Sequence, residues 1–193
     1  MVGLKRNTIY FERGGSECTD STLVASVERA RELGITHIVV ATSSGATALS
    51  LLDEVERQGT GAKVVAVTYH AGYKHTDSLT ASEDVISQLA SRGARVIATT
   101  HALSGLSRSF SEKYGGASIP EVIADAYRRI SQGFKVAIEC SIMAADGGAV
   151  STQDDIVAIG GSGTGADTAI VLRPCNMNGF FDMKVREIIS MPR

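Results

Sequence analysis

Short apolar runs alternate with segments of helical spacing along most of the chain. Thr8-Ile9-Tyr10-Phe11 predicts a short first strand. Leu23, Val27 and Ala30 recur on one helical face behind Asp20 or Ser21, either of which can cap that helix. Gly34 supplies its stop. Ile38-Val39-Val40-Ala41 is continuously apolar, as expected of a strand covered on both faces. A second helix, roughly Ser44 to Arg57, carries the stripe Ala48, Leu51, Leu52 and Val55. Lys63 to Thr68 reads as the next strand. Thr80-Ala81-Ser82-Glu83 has the form of a capping box ahead of Val85, Ile86 and Leu89. Arg95 to Ala98 and Val136-Ala137-Ile138 predict two more strands, separated by a helix in which Pro120 occupies the first turn and Val122, Ile123, Ala126 and Ile130 follow at helical spacing. Asp155 to Ile159 and Ala169 to Leu172 complete the strands.

Repeated strand–helix–strand units specify a three-layer α/β/α sandwich with a mostly parallel sheet. No composition break divides the 193 residues, so a single domain over 1–193 is expected. Ser104 to Ser118, rich in Ser and Gly, reads as a mobile surface loop, the alternative being a lid over a ligand. Ligands of such sheets bind beyond the carboxyl ends of the strands. That rule selects Thr42 to Thr47, Thr68 to Gly72, Thr99 to His101, Cys140 to Gly148 and Gly160 to Gly165.

Thr42-Ser43-Ser44-Gly45-Ala46-Thr47 carries the strongest chemistry among them. Its hydroxyls can donate to phosphate oxygens, and Gly45 lets the backbone come close. The unpaired amides and the dipole of the following helix favour an anion at the same point. The bland alternative is that Ser43 or Ser44 simply caps the helix. The Walker pattern is missing, because no lysine follows Gly45. Gly160-Gly161-Ser162-Gly163-Thr164-Gly165 precedes a strand, so it is not a dinucleotide fingerprint. It is a flexible turn or a backbone clamp over the ligand. It also lacks the G-x-S-x-G form of a nucleophile elbow.

Composition narrows the rest. A net charge of −2 and a pI near 6.1 are a poor footprint for a nucleic-acid binder. There is no tryptophan and 5% aromatic content, which disfavours base stacking. No apolar stretch is long enough to span a bilayer, and the first seven residues lack the features of a signal peptide, so a cytoplasmic protein is expected. Cys18, Cys140 and Cys175 form no CxxC pair and read as reduced thiols. His70 and His101 each follow a strand, but no HxH or HExxH spacing marks a metal site, and none is expected. His75 reads as an exposed loop residue. Cys140 and Met143 could touch a ligand, or fill core space.

The segment from Ile38 to Thr68 resembles the carboxy-terminal domain of pyruvate kinase. That domain has an apolar strand, a T-x-S-G-x-[ST]-A loop with its helix, and a strand ending in A-V-T. Here the residues are Thr42-Ser43-Ser44-Gly45-Ala46-Thr47-Ala48 and Ala66-Val67-Thr68. Gly161-Ser162-Gly163 followed by Thr168 is similar to the family's later glycine-rich loop and last strand. In order of elements the resemblance runs from about Asp20 to Leu172. It implies that the first loop holds a ligand phosphate, and that the last strand can be reversed. The catalytic barrel is absent, so phosphoryl transfer from phosphoenolpyruvate is not implied. Glu28 to Ile35 and Ala144-Ala145-Asp146-Gly147 resemble a stand-alone archaeal group of such domains associated with flavin mononucleotide.

The resulting expectation is a small-molecule binder holding flavin mononucleotide by its phosphate at Thr42 to Thr47. Thr68, His70 and Gly161-Ser162-Gly163 are expected as neighbouring walls. No catalytic residue is indicated. The alternatives are a sensor of a phosphorylated metabolite such as a sugar bisphosphate, with Lys74 or Arg108 reaching the second phosphate, and an assembly domain whose loop is vestigial. The near-neutral charge permits a homo-oligomer.

Overall fold

The computed structural model describes residues 3–74 and 77–193. Its strands are β1 (Ile9–Phe11), β2 (His37–Ala41), β3 (Lys63–Thr68), β4 (Arg95–Ala98), β5 (Ile156–Gly160), β6 (Thr168–Arg173) and β7 (Lys184–Pro192). Its α-helices are α1 (Thr19–Leu33), α2 (Ala46–Gln58), α3 (Glu83–Ser91), α4 (Gly105–Tyr114), α5 (Ile119–Arg128) and α6 (Gln132–Asp146). The strands join one sheet in the order β1-β7-β6-β5-β2-β3-β4. Only β6 runs against the others, antiparallel to both β5 and β7. The mostly parallel α/β architecture and the reversed β6 agree with the alternating pattern and with the resemblance.

Two apolar layers sandwich the sheet. On one face Leu23 and Val27 of α1, Leu51 and Leu52 of α2 and Leu89 of α3 pack on Ile38, Val40, Val157 and Ile159. On the other face Phe134, Ile138 and Ile142 of α6 pack on Val39, Val65, Ala158 and Ile170. Burying both faces explains why β2, β3 and β5 are apolar at nearly every position. A partly buried bidentate ion pair from Arg29 to Glu187, with N–O distances of 2.9 and 2.7 Å, ties α1 to β7.

β2 leads through α2 to β3 on one side, whereas the chain returns through α6 to β5 on its other side. The order of strands therefore reverses between β2 and β5, and a crevice opens there at their carboxyl ends.

Several sequence expectations are corrected. Val136-Ala137-Ile138 is not a strand but part of α6, a 15-residue helix buried on almost every side. A helix without a polar stripe cannot be told from a buried strand by periodicity alone. Its cap, the Ser131 hydroxyl accepting from the Phe134 amide at 2.9 Å, was the overlooked signal. Cys140 to Gly148 accordingly does not follow a strand. The segment 104–118 is no irregular loop: Leu106, Phe110 and Tyr114 recur at helical spacing on α4, although none of its residues is buried. The capping box lies at Ser118 and Glu121. At α3 Ser82 alone caps, and Thr80 turns elsewhere. α1 begins at Thr19, with Asp20 and Ser21 inside it. β7 had no place in the expected order. Its Lys184, Arg186 and Glu187 hide the apolar positions Ile188 and Ile189 within a mixed strand.

Candidate functional site

At this crevice the strand ends surround a cavity of about 230 Å³. One wall is the turn from β2 into α2. The Gly45 backbone has φ +95°, a left-handed conformation, and a Cβ there would clash with Val85. The Gly45 amide donates to the Thr42 hydroxyl oxygen at 3.0 Å, which leaves the hydroxyl proton of Thr42 free to donate. The Ser43 carbonyl accepts from the hydroxyls of Thr80 at 2.7 Å and Thr68 at 3.4 Å, fixing the turn to the end of β3. Neither Ser43 nor Ser44 caps α2: the N-cap is Gly45, with no side-chain hydrogen bond. The first helical bond runs from the Leu49 amide to the Gly45 carbonyl, so the amides of Ala46, Thr47 and Ala48 precede any intrahelical acceptor.

The facing wall is α6, which brings Lys135, Val136, Glu139, Cys140 and Met143 to the cavity. The Lys135 ammonium pairs with the Glu139 carboxylate, each side chain being 7% exposed. The other Glu139 oxygen accepts from the Leu103 amide at 2.8 Å, anchoring the segment after β4. Burial, reinforced by Glu139, pushes the Cys140 thiol far above its ordinary range, so it is neutral and unreactive.

Aromatic rings close a third side. Tyr69 and Tyr73 stack with centroids 3.9 Å apart, and His101 lies 5.4 and 5.2 Å from them. The Arg108 guanidinium sits 5.7 Å from the Tyr73 centroid. Burial lowers the His101 pKa, and burial together with Tyr73 raises that of Tyr69. Both side chains are therefore neutral near pH 7.

The glycine-rich turn forms the last side. The buried Asp167 carboxylate accepts from the amides of Ser162 at 2.9 Å and Gly15 at 3.0 Å. Its second oxygen accepts from the Thr168 hydroxyl at 2.8 Å, which in turn lies 3.1 Å from the capping hydroxyl of Ser131. One carboxylate thus fixes the turn, β6 and the start of α6 together.

Of the residues expected from sequence, Thr42, Ser43, Thr47, Thr68, Gly161 and Gly163 line the cavity. Ser44, Gly45 and Ala46 complete the turn without lining it, and Ser162 contributes only its bound amide. His70 also stays off the lining: its Nδ1 is 2.6 Å from the Ala71 carbonyl, and its ring is 5.3 Å from His101. His75 lies outside the described residues. Sequence reasoning missed Tyr73, Arg128, Gln132 and Lys135, whereas Tyr69 lay within the selected segment Thr68 to Gly72. Lys135 and Glu139 were recognisable as an i,i+4 pair only once that segment is read as a helix.

Among the described residues no group of three or more His, Cys, Asp or Glu side chains is placed to hold a metal ion. No helix among them is long and apolar enough to cross a membrane.

Residues 20–172 match the family described as the pyruvate kinase alpha/beta domain. The match begins in α1, ends in β6 and contains both turns at the cavity. With most of its length inside that match, the chain belongs to the pyruvate kinase alpha/beta domain family.

Proposed function

We propose that this protein binds a phosphate-bearing small molecule in the crevice between β2 and β5, and that the ligand is flavin mononucleotide. The observation that carries the reading is the uncapped start of α2. Among the described residues, three first-turn amides, the Thr42 hydroxyl proton and the hydroxyls of Ser43 and Thr47 lie in that turn without acceptors of their own. These are neutral donors at a helix start, a set that suits a monophosphate; a triphosphate normally needs a lysine or a metal beside it.

The flavin assignment rests on the resemblance to the stand-alone flavin-associated group; the family match carries no flavin of its own. The donor and wall chemistry fits the group. Residues 42–47 would hold its phosphate. Tyr69, Tyr73, Val136 and Met143 would give a flat ring apolar and aromatic surfaces. A bound flavin would supply redox chemistry, while this chain's own residues bind, orient and shield. Mass spectrometry of the small molecule released by denaturing purified protein, together with absorbance in the flavin bands, tests this. Colourless protein that takes up no added flavin mononucleotide would overturn it.

A regulatory sensor of a phosphorylated metabolite such as a sugar bisphosphate is the second reading. Arg108 on the cavity lining favours it, since it offers charge for another phosphate, whereas Arg128 is already paired with Asp125. Lys74, the other cation considered for that role, does not line the cavity.

A further inference from the structure

We propose that the outer surface of α4 and α5 is an interface between two copies of this chain. Both helices turn their apolar residues outward. Along α4, Leu106, Phe110 and Tyr114 recur at every fourth position and are 73%, 55% and 71% exposed. Within that helix only Gly105, Ser107 and Ser111 are even partly covered. Its small and polar side therefore faces the body of the protein, and its apolar row faces away.

α5 repeats the arrangement. Ile119, Val122 and Ala126, continued by Ile130 beyond the helix end, stand three or four positions apart, the spacing of one helical face. All four are exposed. A different side holds the helix to the fold: Ala124 is buried, and the Tyr127 ring meets that of Phe134 with centroids 5.8 Å apart. An amphipathic helix buries its apolar stripe, and here the stripe and the buried side do not coincide. The Glu121 carboxylate accepts from the hydroxyls of Ser111 at 2.5 Å and Ser118 at 2.8 Å, so the end of α4 is joined to the start of α5 and the two rows adjoin.

Area and charge select a second copy as the cover. Leu106, Phe110, Tyr114, Ile119 and Val122 are each more than half exposed. Five such side chains present on the order of several hundred Å² of apolar surface, which matches the largest patch of a typical monomer and approaches the roughly 800 Å² per partner of a stable interface. The charges around them are mixed. Residues 105–130 hold four basic side chains, Arg108, Lys113, Arg128 and Arg129, against three acidic ones, Glu112, Glu121 and Asp125. A two-fold contact presents the same surface from both sides, so its rim must carry both signs. A helix face that lies on a membrane carries a clear surplus of Lys and Arg instead.

Sedimentation equilibrium of the whole chain tests this interface. The wild-type protein should be dimeric or larger at about 10 μM. Phe110→Glu combined with Val122→Glu should weaken self-association at least about thirtyfold. Leu33→Glu, at an exposed position on α1 across the sheet, should change it by less than about threefold. Amide hydrogen exchange of the wild-type protein reads the same surface without a substitution, and protection of residues 105–130 should rise with protein concentration. A wild-type protein that stays monomeric at about 100 μM overturns the interface; if that monomer floats with anionic phospholipid vesicles, the face belongs to a membrane. Self-association that survives the double variant also overturns it, as does concentration-dependent protection confined to other parts of the chain.

Discussion

The Lys135 ammonium and the Glu139 carboxylate meet one turn apart on α6 with only 7% of each side chain exposed. Neither charge has comparable access to water, so each depends on the other. Removing one partner strands a buried charge, which typically costs about 3–5 kcal/mol. Lys135→Met alone should destabilise the fold by about that amount in urea unfolding. The double variant Lys135→Met with Glu139→Gln should recover most of the loss, because the Gln carbonyl still accepts from the Leu103 amide. Equal destabilisation by the single and double variants would mean that packing, not charge, sets the cost.

The same pair shows where sequence reasoning stopped. The turn at residues 42–47 was legible because strand, hydroxyls, glycine and helix are contiguous in the chain. The reversed β6 followed from the resemblance. The α6 wall was not legible: a helix buried all round loses the polar stripe that identifies it, and Val136-Ala137-Ile138 then imitates a strand. With α6 misread, Lys135 and Glu139 could not be placed on one face. Arg108 on α4 comes to the Tyr73 ring only through the tertiary fold, without a local signal. β7 was obscured by three charges in its first four residues.

Glu121 gives a pH-dependent junction between α4 and α5. The Ser111 hydroxyl, first of all, and then the Ser118 amide and hydroxyl donate to Glu121, at 2.5, 2.8 and 2.8 Å. These bonds hold its pKa at about 2, below the ordinary 4.5. A depressed carboxylate contributes stability above its unfolded pKa and loses it as pH falls through its folded one. The junction should therefore be intact above pH 4.5 and loosen between about pH 4.5 and 2. A carbon-13 titration of the Glu121 carboxyl should show a midpoint near 2, and Glu121→Gln should remove the dependence. A midpoint near 4.5 would deny the three hydrogen bonds.

Gly160 marks a close approach of α6 to the sheet. A Cβ there would clash with the Gly133 carbonyl oxygen and the Ala137 amide nitrogen. The obstacle is helix backbone, so no rotamer change relieves it. Gly160→Ala should cost at least about 1–3 kcal/mol of stability, in the range of overpacked cores. It should also part α6 from β5 at the cavity. An unchanged urea midpoint would show that this approach has slack.

The hydroxyls of residues 42–47 separate binding from folding, but not all of them do so equally. Thr42 is buried and its oxygen accepts from the Gly45 amide, so Thr42→Ala with Ser44→Ala perturbs the turn as well as any ligand. Ser44 adds little to the comparison, since it does not line the cavity. Ser43 and Thr47 do line it, and among the described residues neither hydroxyl makes a hydrogen bond within the protein. Ser43→Ala with Thr47→Ala should therefore leave stability within about 0.5 kcal/mol of wild type. A lost hydrogen bond to a charged oxygen is worth about 1.5–3 kcal/mol, so the same double variant should bind flavin mononucleotide at least about tenfold more weakly. Riboflavin, which lacks the phosphate, supplies the control: its affinity should be the same for both proteins. Equal loss for the two flavins would mean that the substitutions deform the cavity. Unchanged affinity for flavin mononucleotide would put its phosphate away from α2.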